Sequence, residues 1–345
     1  MPGFTARVQL MKMSYKLFFS VCLSGLFFAG SATGTGLLSS PLAQFQRQLV
    51  SRAASHPQPL QLAVAAILAR SIARMPAPLR YSTLIHRAQQ QASAGPAVNW
   101  VALGDCGDRR NLSDCINTAA LQRLEQQAPD NAAIWMLAFD HAVQTNDLPG
   151  QKLFLYRAAG ATSFRTYYAT LLQALTNMVT TQPMPVDVVH IIGGPHGNAS
   201  AAIYLLAAGN LMYLPTPALA PLFTFCSDPS HSAKIRDVCL HLAGNLVLGD
   251  TVTARATGLA LTQRLTKNPA QRQRATRQQR ALIWQTQQFS GLVLQARHDD
   301  RLAQILLGLA RQGGTETSIQ RNLLQKMHIP LTPPGSWSPQ GSVKG

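Results

Sequence analysis

Residues 128–161 read APDNAAIWMLAFDHAVQTNDLPGQKLFLYRAAGA. Apolar residues recur at helical spacing on both sides of the polar pair Asn146-Asp147, so the stretch spells two amphipathic helices joined by a turn. Most other segments repeat this pattern less clearly. Nothing beside it supplies recognisable chemistry.

Toward the N-terminus a partial echo precedes it. Trp100 and Trp135 stand 35 residues apart, and so do Asn111 and Asn146, each in the turn eleven residues after its tryptophan. A period in the thirties is the mark of stacked helical hairpins. Further upstream, Ser40-Pro41 opens a helix with Leu42, Phe45, Leu49 and Ala53 on one stripe. Leu60–Met75 and Leu79–Ala94 follow, each introduced by a pair of prolines.

On these residues Pro129–Ala159 resembles a tetratricopeptide repeat. Pro129-Asp130-Asn131 stands where such repeats hand over, Trp135 at the aromatic position of the first helix, Asn146-Asp147 in the turn, and Ala158 at the small position of the second helix. The resemblance covers about one and a half repeats, residues 96–161. It implies a stack of helix pairs and no particular partner, since the family binds many unrelated ones. Phe139 replaces the small glycine of such repeats and Gln151 a small alanine, which implies a wider crossing of the two helices.

Beyond Ala161, Ser163–Thr181 reads as an aromatic-rich helix. Val186–Gly197 is the least helical stretch, a β-branched run followed by a glycine loop, and residues 183–197 are expected to be a linker between an N-terminal half (35–182) and a C-terminal half (198–329). In that second half Asn198 caps a helix, Thr216-Pro217 starts another that reaches Cys226, and Ser230–Gly249 contains Cys239. Asp250 is expected to cap Thr251–Lys267. A long helix then runs from Pro269 to about Ala296, followed by Asp299–Gln312 and Thr315–Met327. Residues 330–345, rich in Pro, Gly and Ser, read as a disordered tail. The expected fold is all-α: an irregular, α-solenoid-like array of helical hairpins with about 14–16 helices.

The compartment is read from the first 34 residues. Arg7, Lys12 and Lys16 precede the apolar run Leu17–Ala29 and the small residues Gly30–Gly34, the layout of a secretory signal cleaved near Ala32–Gly34. The run is shorter than the roughly 20 residues a bilayer crossing needs. An exported chain, periplasmic or extracellular, is therefore expected. Four cysteines remain after cleavage. Of their three possible connectivities the sequence-local pairs, Cys106–Cys115 and Cys226–Cys239, are expected. His231 and His241 lie near the second pair, but their spacing fits no common zinc arrangement, and no metal or other cofactor is expected.

Composition narrows function without naming it. The chain of 345 residues is 46% hydrophobic and only 13% charged, yet carries a net +16 from 30 basic and 14 acidic residues. Between Thr251 and His298 there is no Asp or Glu, while Arg264, Lys267, Arg272, Arg274, Arg277 and Arg280 crowd together. Ala275, Leu282 and Phe289 recur every seven residues as a buried stripe, so the arginines take the opposite face. Such a face suits an anionic envelope component or an acidic protein. Nucleic acid is not expected, because no aromatic platform or reading motif interleaves the charges. Enzyme signatures are missing: no G-x-S-x-G elbow, no H-E-x-x-H, and only two glutamates, Glu125 and Glu316, both in structural positions. The expected function is an exported binding or scaffolding protein rather than an enzyme. The alternative is a hydrolase of envelope polymers using Asp187, His190 and His196 in the mid-chain loop.

Overall fold

The computed structural model describes residues 40–106 and 116–339. The signal segment, Asn111 and Cys115 lie outside the described residues, and the 106–115 pairing with them. Sixteen α-helices account for nearly all regular structure there, as expected. They are α1 (Pro41–Ala54), α2 (Pro59–Arg70), α3 (Tyr81–Gln89), α4 (Pro96–Ala102), α5 (Thr118–Gln127), α6 (Ala132–Gln144), α7 (Leu148–Gly160) and α8 (Tyr168–Val179). After these come α9 (Val186–Gly193), α10 (Ala199–Leu211), α11 (Leu219–Cys226), α12 (Ala233–Val247), α13 (Val252–Leu265), α14 (Pro269–Gln295), α15 (Asp300–Gln312) and α16 (Glu316–Lys326).

The helix starts follow local chemistry. Ser40 Oγ accepts from Ala43 N at 3.2 Å with Pro41 at the first helical position, where its missing N–H costs nothing. Asn198 and Asp299 cap α10 and α15 in the same way, accepting from Ala201 N at 2.8 Å and Leu302 N at 2.9 Å. Asp250 departs from its expected role. Thr251 caps α13 by accepting from Ala254 N, and the Asp250 carboxylate turns instead to Thr166, 84 positions away.

Most consecutive helices pack against each other, most extensively α6 with α7 and α12 with α13. Non-consecutive contacts draw the array together. α8 packs on α2, α10 and α15, while α7 packs on α12 and α9 on α1. One apolar core therefore runs from Phe45 to Leu324. α6 lies deepest: Ala132 through Asp140 are all buried, so the helix has no solvent face along those turns. Phe139 fits there because its ring meets Phe225 of α11 edge-on at 5.7 Å. Gln151 is tolerated because its amide donates across the hairpin to the Ala142 carbonyl at 3.4 Å.

Besides the role of Asp250, three expectations from the sequence are corrected. The helix expected from Ser163 begins only at Tyr168, because the backbone of Ser163 and Phe164 accepts from Ala132 N and Asp250 N instead. The 183–197 stretch is not a loop throughout, since Val186–Gly193 forms α9. Valine and isoleucine are weak helix formers, but Val188, Val189 and Ile192 bury one face of this helix, and burial outweighs propensity. Gly194, at φ +90°, ends it. The tail is also ordered as far as Pro339, where it lies along α14. Trp284 Nε1 donates to Pro330 O at 2.8 Å, Gln285 donates to Leu331 O at 2.7 Å, and Trp337 packs edge-on against Trp284 at 5.5 Å.

Cys226 and Cys239 form the expected disulfide, with Cα atoms 5.7 Å apart, tying the end of α11 to α12. Closing so short a loop contributes about 3 kcal/mol in the chain-entropy view. Next to it, Gly258 sets how near α13 comes to α12. A Cβ there would stand 2.6 Å from both Ala243 O and Val247 N, atoms of the neighbouring backbone that cannot rotate away. Gly258→Ala is expected to destabilise by about 1–3 kcal/mol despite the better helix propensity of alanine. Thermal melting checks this: a midpoint equal to or above wild type would show that the crossing is not limited by Gly258.

Candidate functional site

The first half of α14 stands apart from the main core. Ala275 and Leu282 bury with Leu259 in a small separate cluster, against Val247, Val252 and Ala256. Phe289, seven residues further on, joins the main core. The heptad stripe expected from the sequence is thus real, and the remaining surface of α14 carries the charges. Arg272, Arg274 and Arg277 are exposed, as are Arg264 and Lys267 at the end of α13. Arg272 Nη2 donates to Thr266 O at 2.7 Å and closes the turn between the two helices. Arg280 is committed elsewhere: its Nη2 donates to the carbonyls of Pro334, Gly335 and Trp337, and its guanidinium lies 5.6 Å from the Trp337 ring centroid. The tail thereby engages one of the six cations and leaves the others toward solvent.

The mid-chain residues do not assemble. Asp187 and His190 sit three positions apart on the exposed side of α9, and His196 is exposed in the turn beyond it. None of the three lines either of the hollows described below. With Cys226 and Cys239 bonded to each other, no thiolate is left beside His231 and His241, and no cluster suited to a metal ion occurs among the described residues.

The chain matches no family model, no curated protein and no solved structure. Its chemistry rests on its own side chains.

Two hollows open between helices. A wide groove of about 870 Å³ separates the end of α7 from α12, with Tyr156, Lys234, Asp237 and His241 along it and the Lys234 ammonium 5.8 Å from the Tyr156 ring centroid. A smaller cleft of about 310 Å³ lies between α6 and the turn that leads from α10 into α11, lined by Arg70, Leu137, Asp140, Met212 and Tyr213. Asp140 is only 5% exposed. Its Oδ2 accepts from Ala218 N, at the start of α11, and its Oδ1 has no hydrogen-bond partner. Burial pushes this carboxyl up to about 7, offset in part by the Ala218 N–H. Arg70 donates to the Tyr213 carbonyl at 2.7 Å and lies 5.2 Å from the Tyr81 ring centroid. Sequence reasoning missed this cleft, whose walls come from four separated segments.

A pair of carboxylates holds the helix ends together without forming an open site. Asp250 Oδ2 accepts from Thr166 N at 2.8 Å, and Glu316 Oε2 accepts from Val252 N at 2.8 Å, the first residue of α13. Glu316 therefore serves two helices, heading its own and capping the start of another. Burial pushes Asp250 up to about 6 and Glu316 up to about 7, the Asp250 charge adding to the rise at Glu316. Both groups bind protons more tightly folded than unfolded, so their contribution is complete below the ordinary carboxylate range near 4 and is lost as pH rises through 6 to 7. The melting midpoint is expected to be higher near pH 5 than near pH 8. Glu316→Gln, which keeps an acceptor for Val252 N, is expected to flatten that slope. A midpoint that rises with pH would contradict this account of the two carboxylates.

Proposed function

We propose that this is an exported binding or scaffolding protein, with a tetratricopeptide-like stack in residues 96–161, which holds an anionic component of the cell envelope on the arginine face of α14. One observation carries the reading. Arg272, Arg274 and Arg277 are exposed on a helix half set apart from the main core, with Arg264 and Lys267 beside them and no acidic residue in the interval to neutralise them. A cluster of one sign raises the local positive potential and steers anions toward it before contact. Nucleic acid fits less well. Trp284 and Trp337, the nearby aromatic residues, pack on each other rather than offering an open stacking platform. The hydrolase alternative draws no support from Asp187, His190 and His196, which are exposed and line neither hollow. No cofactor enters the reading.

The test is retention on vesicles of anionic phospholipid against neutral ones, over a range of salt. Wild type is expected to bind the anionic vesicles and to release as salt rises. Replacing Arg272, Arg274 and Arg277 together by glutamine removes about 1 kcal/mol per basic residue, so binding is expected to weaken roughly a hundredfold. Retention unchanged by the triple variant, or insensitive to salt, would overturn the assignment of this face.

A further inference from the structure

The C-terminal segment and the strip of α14 that holds it form a second recognition surface. Residues 330–337 run antiparallel to the helix, with Pro330 at Trp284 and Trp337 at Arg280. Trp284 Nε1 donates to Pro330 O, Gln285 Nε2 to Leu331 O, and Arg280 Nη2 to the carbonyls of Pro334, Gly335 and Trp337, so the strip grips the tail by main-chain acceptors. One tail side chain, Trp337, adds ring contacts to Trp284 and Arg280.

Arginine and tryptophan side chains donate hydrogen bonds and accept none. A strip built on them suits a chain with many free carbonyls and few N–H groups, which is what proline supplies. Residues 330–339 contain Pro330, Pro333, Pro334 and Pro339, each an acceptor without a donor. Proline also holds the backbone extended beforehand, so docking costs little ordering entropy. The tail can leave without opening the core: none of residues 330–339 is buried, Leu331 alone among them packs partly against the main core, and neither Trp284 nor Trp337 belongs to an apolar cluster. Attached directly after α16, the tail occupies the strip at an effective concentration on the order of millimolar, the threshold an outside segment has to exceed. We propose that the Arg280–Trp284–Gln285 strip is a docking site for an extended proline-rich segment of a partner protein, and that residues 330–337 are its built-in occupant, displaced when such a segment docks. The strip shares α14 with the exposed arginines, but neither assignment depends on the other.

The probe is a labelled peptide with the sequence of residues 330–339, and the readout is fluorescence anisotropy on the full chain. Trp337→Ala removes the ring contacts of the tail at a position outside both apolar clusters, and the peptide is expected to bind this variant. Wild type, whose own tail competes from its tether, is expected to bind the peptide roughly tenfold more weakly. Adding Trp284→Ala or Arg280→Gln to Trp337→Ala is expected to weaken binding about tenfold, through lost ring contacts and hydrogen bonds to the peptide. A circular dichroism melt accompanies both, and Arg280→Gln, also outside the two clusters, decides the matter if Trp284→Ala does not fold. A peptide with alanine in place of its prolines is expected to bind more weakly than the native sequence. No binding to Trp337→Ala, equal binding to wild type, or binding indifferent to Trp284, Arg280 or the prolines would each overturn the proposal. So would a wild-type dimer in sedimentation velocity that Trp337→Ala dissolves, since it would assign the strip to the tail of a second copy.

Discussion

The extended segment from Ala161 to Thr166 is the seam on which the array depends. It leaves α7 and crosses the head of α6, where Thr162 N and Ser163 N donate to Asp130 O and Ala132 N donates to Ser163 O at 2.7 Å. On its other side Asp250 N donates to Phe164 O at 3.1 Å, and the Asp250 carboxylate takes both the N–H and the hydroxyl of Thr166. Asn131 completes the crossing. Its amide oxygen accepts from Ala133 N and Arg165 N, and its nitrogen donates to Arg165 O. Helix ends leave backbone groups unsatisfied, and an array that folds back on itself buries many such ends at once. Here a few polar side chains satisfy several ends together, so they fix how the α6–α7 and α12–α13 hairpins lie against each other. Tyr167 marks the tightness of the junction. It adopts φ +59°, unusual for a bulky residue, and is held there with its ring 5.5 Å from that of Trp100.

Helix–helix approach is solved differently in the two largest hairpins. In α12–α13 a glycine, Gly258, admits the neighbouring backbone directly. In α6–α7 the corresponding freedom is lost to Phe139, and the ring is housed by a third helix, α11. Phe139 thus also ties its hairpin to its surroundings, in an array whose distant members touch.

What the sequence made legible was what local chemistry decides. Prolines, caps and apolar stripes located nearly every helix, and the heptad of Ala275, Leu282 and Phe289 located the buried face of α14. The failures share a cause. Val186–Gly193 looked unlike a helix because β-branched residues are judged on propensity, while the burial that overrides it comes from elements far along the chain. Asp250 sat where a cap belongs, but its partner Thr166 is 84 positions distant and Thr251 was equally able to cap. The tail looked disordered because its interactions are carbonyls meeting Arg280, Trp284 and Gln285, and no pattern of side chains announces a carbonyl acceptor. At the sites the division is the same. The run of arginines is plain from composition, whereas the cleft joins Arg70, Asp140 and Tyr213, whose proximity only the folded chain creates.

The separate cluster of Leu259, Ala275 and Leu282 also divides the molecule dynamically. The main core from Phe45 to Leu324 holds α14 only in its later turns, so the earlier turns rest on three buried side chains and their few neighbours. Regions with little buried apolar contact open at lower free energy than the whole protein, in cooperative units of their own. The amide protons of residues 269–281 would then exchange with solvent through a local opening, ahead of those in α6 or α8. The exposed arginines of this helix lie within that same unit.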